Sequence, residues 1–108
     1  MKKNMRNKLL LFILLLLFIA ISVSGRTGEL TIHFLDVGQA DSILLELPNN
    51  EIMLIDAGNN SDGRKVVNYL REKGIDTIDY LIGTHPHADH IGGLDDVIEN
   101  FVIGRIYM

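Results

Sequence analysis

A layered α/β fold is what the sequence predicts, on three observations. Apolar runs of four to six residues are bounded by turn formers, two other stretches carry apolar residues at helical spacing, and the order along the chain is strand, strand, strand, helix, strand, helix, strand. The chain of 108 residues allows one small domain at most.

The first 26 residues stand apart from that pattern. Lys2, Lys3, Arg6 and Lys8 precede the uninterrupted apolar run Leu9 to Ile21, and the small residues Ser22, Ser24 and Gly25 follow. This is the layout of a secretory signal, with cleavage expected near Ser24 or Gly25. Thirteen apolar residues are fewer than the roughly 20 that span a bilayer as a helix, so the alternative is a short uncleaved anchor through residues 9–25. Either way the protein is expected outside the cytoplasm, secreted or held at the membrane by its N-terminus. With no cysteine, lipid attachment, disulfides and thiolate-bound zinc are excluded.

Residues 27–108 are expected to form the domain. They hold five of the ten basic residues and all fourteen acidic ones, a formal charge of −9. That balance argues against a general nucleic-acid-binding surface, which needs clustered cations to displace counterions. Leu30 to Leu35, Ser42 to Leu47 and Glu51 to Ile55 read as strands, the last two joined by a hairpin at Pro48, Asn49 and Asn50. Residues 59–63 form a loop. Val66, Val67 and Leu70 mark a helix from Arg64 to Lys73, with Gly74 placed for a left-handed C-terminus. Tyr80 to Gly83 reads as a fourth strand. Leu94, Val97, Ile98 and Phe101 mark a second helix, and Val102 to Tyr107 looks like the start of a fifth strand. Because the chain stops there, the domain is expected to be truncated, with an apolar sheet face left uncovered.

The chemistry lies in residues 84–90, Thr-His-Pro-His-Ala-Asp-His, which put three imidazoles and a carboxylate into six positions. Four specified residues at fixed offsets arise by chance in about a thousandth of chains of this size. Neutral imidazole and carboxylate suit zinc, and manganese or iron as well. Following a strand and preceding a helix, the segment sits where layered α/β proteins place their sites. In an extended stretch His85 and His87 point to one side, while Asp89 and His90, past a bend, address a second point, which suits two metals. His33, inside a strand, reads as structural. Gly92 and Gly93 are expected to allow close backbone approach at the start of the second helix, whose positive dipole end would face an anionic substrate.

These residues also carry a resemblance. His85, His87, Asp89 and His90 match the H-x-H-x-D-H motif of the metallo-β-lactamase superfamily, and residues 54–58, Leu-Ile-Asp-Ala-Gly, look like the strand-end aspartate and glycine that precede it. Residues 34–41, Phe-Leu-Asp-Val-Gly-Gln-Ala-Asp, resemble the opening signature of the subgroup containing the hydrolase domain of ComEC-type competence proteins, with Ala40 where that subgroup usually has glycine. The resemblance implies the N-terminal half of a four-layer αββα sandwich. It implies that His85 and His87 bind one zinc ion and Asp89 and His90 another, with Asp89 and His90 also serving catalysis. Asp56 would anchor the metal loop by hydrogen bonding, and Asp36 and Asp41 would either line the site mouth or serve as turn and cap residues.

Two classes of function compete. The first is a metal-dependent hydrolase using a metal-bound hydroxide, acting on phosphate diesters of nucleic-acid or cell-wall type, small or polymeric, with a thioester or ester hydrolase as the alternative on the same fold. The second is a non-catalytic exported binding domain stapled by metal. All four motif ligands are present, which favours the enzyme. The 108-residue chain alone is expected to be inactive, because the motif offers only two protein ligands to each metal.

Overall fold

A computed structural model describes residues 2–22 and 28–108, with side chains for 2–17 and 28–108. The expected cleavage point lies outside the described residues. Helix α1 (Lys2–Ser22) carries the basic head and the whole apolar run, and Leu9 to Leu17 are exposed along it. Among the described residues no helix is long and apolar enough to cross a membrane.

The domain is a mixed five-stranded sheet in the order β1-β2-β3-β4-β5, with β1 (Thr31–Phe34), β2 (Ile43–Glu46), β3 (Ile52–Ile55), β4 (Thr77–Ile82) and β5 (Val102–Tyr107). The first three strands are antiparallel; β3, β4 and β5 run parallel. The hairpin between β2 and β3 turns where the sequence places it, with Asn50 at φ 67. A 3-10 turn (Asn60–Asp62) leads into α2 (Gly63–Glu72), and the crossover from β4 to β5 carries α3 (Ala88–Ile91) and α4 (Leu94–Asn100).

The apolar spacing explains why α2 and α4 lie on one face of the sheet. Val66, Val67 and Leu70 of α2 and Leu94 and Val97 of α4 join Leu44, Leu54, Ile78 and Leu81 of the strands in one core. Gly74, at φ 74, ends α2 as expected: its N–H donates to the Arg71 carbonyl at 2.9 Å, and Ile75 N–H to that of Leu70 at 3.1 Å.

Three sequence expectations are corrected. Strand β4 begins at Thr77, three residues before Tyr80, because the apolar alternation breaks at Asp79, whose carboxylate accepts the Ile52 N–H at 2.7 Å. The one-turn helix α3 lies inside the histidine motif, where no apolar periodicity announces it. The start of α4 does not offer a free positive end: Asp95 and Asp96 occupy its first turn, and Gly93 before it is buried against the backbone of Ala57 and Gly63. Close approach at Gly92 and Gly93 is observed, since a Cβ on Gly92 would meet the Asn60 backbone. The opposite sheet face carries half-exposed apolar residues such as Leu45, Met53 and Ile55, with Phe34 79% exposed at its edge.

Candidate metal centre

The site forms where the C-terminal ends of the parallel neighbours β3 and β4 meet, the position sheet topology favours for ligands. Asp56 follows β3 with a left-handed backbone, φ 59. That unusual conformation is held from three sides: Asp56 N–H donates to the Ile82 carbonyl at 2.8 Å, Ser42 Oγ donates to the Asp56 carbonyl at 3.0 Å, and Ala57 N–H donates to the His90 carbonyl at 2.8 Å. Its carboxylate is 3% exposed and faces the motif loop.

That carboxylate accepts three hydrogen bonds. Thr84 N–H reaches Oδ1 at 2.9 Å, while Thr84 Oγ1 at 2.6 Å and His90 Nδ1 at 3.0 Å reach Oδ2. The hydroxyl proton of Thr84 is therefore committed to Asp56. Its 3.2 Å contact with His85 Nδ1 must then be a bond donated by the ring, which leaves the Nε2 lone pair of His85 free. By the same count His90 donates from Nδ1. One buried carboxylate, directly and through Thr84, sets the tautomer of two histidines.

The His90 Nε2 lies 3.5 Å from Asp89 Oδ2. With Nδ1 protonated, a neutral ring would point a lone pair at a carboxylate, and two acceptors at this separation call for a positive charge between them or on the ring. The ring's proton affinity reflects that. The Asp56 hydrogen bond raises the His90 pKa above the usual imidazole value, burial opposes it, and the charges of Asp89, Asp56 and Asp41 add to the rise.

The rings gather more tightly than the extended-segment geometry predicts. His85 lies 3.8 Å, centroid to centroid, from His90 and 5.0 Å, edge-on, from His87. His85 is thus close to both other rings, rather than paired with His87 away from His90. Among the described residues no three His, Asp or Glu side chains converge closely enough to hold a metal ion. The donors are turned toward one another instead, His90 to its carboxylates and His85 onto the His90 ring. In kind the donor set fits a divalent cation, because the bonds at Nδ1 leave Nε2 of His85 and of His90 without a proton, and a carboxylate lies across from the second.

Of the remaining candidates, Asp41 reaches His90 Nδ1 at 3.3 Å, whereas Asp36 accepts the Gly38 N–H at 3.4 Å within its own turn. His33 sits apart on β1, 3.8 Å from Glu46 and edge-on to Tyr69. Thr84 and Ser42 were not singled out by sequence reasoning. Their roles come from hydrogen bonds to a residue 28 and 14 positions away, for which a single sequence holds no signal.

The profile of the Metallo-beta-lactamase superfamily matches residues 35–108. Among curated proteins, the chain is 37% identical over 65 residues to "Probable metallo-hydrolase YqgX" of Bacillus subtilis (strain 168), a match covering 60% of this chain and 29% of that protein. It is 40% identical over 68 residues to "Anti-Pycsar protein Apyc1" of Bacillus phage 010DV004, covering 59% and 24%. It is 32% identical over 111 residues to "ComE operon protein 3" of Bacillus subtilis (strain 168), covering 87% and 14%. The chain spans less than a third of the length of each of these relatives.

Proposed function

The chain belongs to the metallo-β-lactamase superfamily, and from that premise we propose that it is part of an exported, metal-dependent phosphodiester hydrolase of the ComEC-type subgroup. The observation that carries the metal reading is the pairing of His90 Nε2 with Asp89 Oδ2 at 3.5 Å, beneath a tautomer fixed by Asp56. A divalent cation answers the charge this pair leaves open.

In this reading His85 and His87 hold one ion and Asp89 and His90 the other, zinc being the ion best suited to the set and manganese or iron the alternatives. Bound there, the ions supply a Lewis acid and lower the pKa of water. The chain's own residues do the positioning. Asp56 keeps the protons of Thr84 and His90 on the side away from the site, Thr84 does the same for His85, and Ser42 holds the backbone that aims the carboxylate. Asp89 balances the positive charge and is 46% exposed, so substrate and solvent reach it.

The phosphate-diester class rests on the likeness of residues 34–41 to the subgroup signature, with nucleic acid or a cell-wall polymer as candidate substrates. Export rests on the basic head and apolar run of residues 2–21. Elemental analysis of the whole protein, combined with turnover of a chromogenic phosphate diester, tests the central claim. About two equivalents of zinc and turnover are expected. Normal turnover after His87→Ala or Asp89→Ala would refute it. N-terminal sequencing of secreted material tests export, and finding the intact chain in the cytoplasm would overturn it.

A further inference from the structure

We propose that Asp41 is a positioning residue for His90. From the open side of the site its carboxylate places a second negative charge 3.3 Å from Nδ1, whose proton Asp56 accepts from the buried side, so that Nε2 stays aimed at Asp89. This rests on the reading of Asp89 and His90 as an ion-binding pair.

The loop between β1 and β2 is built to hold Asp41 there. Val37 is buried in the core and Ala40 packs against it, so the loop is anchored from below. Asp41 N–H donates to the Asp89 carbonyl at 3.1 Å, and the Asp41 carbonyl accepts the Gly58 N–H at 2.9 Å. Its backbone is thereby tied both to the motif loop and to the end of β3. The next residue, Ser42, bonds to the Asp56 carbonyl, so the two carboxylates flanking His90 are fixed relative to each other. Although the Asp41 side chain is 64% exposed, its Oδ2 lies 3.3 Å from Nδ1, where a free surface carboxylate would turn to water. Asp36, five residues earlier on the same loop, shows the contrast by bonding only within its turn.

A half-turn of the His90 ring would set a carbon against both carboxylates and withdraw Nε2 from Asp89. That rotation loses the hydrogen bond to Asp56 and also the attraction of the Asp41 charge for the Nδ1 proton. Asp41 thus acts through His90 and need not touch substrate or ion.

The test compares the whole wild-type protein with its Asp41→Ala and Asp41→Asn variants. Long-range nitrogen–proton correlation spectra of the metal-free proteins, at alkaline pH, read the His90 tautomer, and calorimetric titration with zinc reads affinity. The wild type should show the Nδ1–H form alone. Asp41→Ala, with Asp56 still accepting from Nδ1, should show a minor Nε2–H population beside the Nδ1–H form and bind the ion at Asp89 and His90 about 10–100-fold more weakly. Asp41→Asn, which keeps the shape but not the charge, should behave like Asp41→Ala. If zinc binds the wild type and Asp41→Ala matches it in both readouts, or lowers thermal stability with the tautomer unchanged, the proposal is overturned. If the wild type takes up no zinc, the metal reading fails and the tautomer comparison alone decides the role of Asp41.

Discussion

Asp56 concentrates the cost of building this site. Its carboxylate is the shared acceptor of Thr84 N–H, Thr84 O–H and His90 N–H, and its backbone adopts a conformation that side chains other than Asn and Asp resist. In Asp56→Ala the donors lose their acceptor at about 1–3 kcal/mol for each that stays dry, and alanine adds about 1 kcal/mol of backbone strain. Urea denaturation should therefore show a loss of at least about 2 kcal/mol, with Asp56→Asn retaining more because Asn tolerates the backbone. A second residue-scale prediction concerns Tyr80, whose phenol is raised above the ordinary tyrosine value by hydrogen bonding to Glu51, then by the charge of Glu51. A raised value in the folded state means that the bond's contribution to stability is complete below about pH 10 and is lost as pH climbs through the folded value. Ultraviolet titration of tyrosinate should show a late step that Tyr80→Phe removes and Glu51→Gln moves to lower pH.

At the scale of elements, strands and helices were legible wherever apolar period and turn chemistry agreed. The runs at 30–35, 42–47 and 51–55 became β1, β2 and β3, and Gly74 closed α2 as its position foretold. Legibility failed where side chains serve hydrogen bonds instead of the core. Asp79 interrupts the pattern of β4, and α3 is assembled from the motif residues themselves, so no apolar face marks it. The identities of the motif residues could be read directly, but not the relay through Thr84, since that depends on two loops brought together by parallel pairing of β3 and β4. The glycines give a measurable contrast between conformational and steric need. Gly74 has a positive φ and open space around it, so Gly74→Ala should cost about 1–2 kcal/mol. Gly93 has an ordinary φ, but an added Cβ would collide with the Ala57 carbonyl and lie 2.8 Å from Gly63 Cα. Gly93→Ala should cost more than about 3 kcal/mol by the same denaturation assay, because backbone must move.

For the molecule as a whole, helices cover one face of the sheet and leave the other apolar and partly open. Phe34 at 79% exposure, Tyr107 at 51% and Ile32 at 47% border a surface that includes Leu45, Met53 and Ile55. An apolar surface of this extent favours association. Sedimentation velocity on the 108-residue chain should show species that grow with concentration, and Phe34→Glu should shift them toward monomer. An unchanged distribution would locate the association elsewhere.

The hydrogen bonds that define the histidine cluster have a kinetic consequence. They join residues 28 and 34 positions apart, and the backbone link between Asp41 and Asp89 spans still more chain. Each closes a large loop whose entropy must be spent before the bond forms. The β2–β3 hairpin and α2 can form from near neighbours, whereas the imidazoles can be oriented only after β3 and β4 have aligned across the intervening helix. The donors therefore come into place late in folding. In the reading proposed above, an ion met earlier would find a flexible chain, and selection of the ion would be a property of the finished sheet.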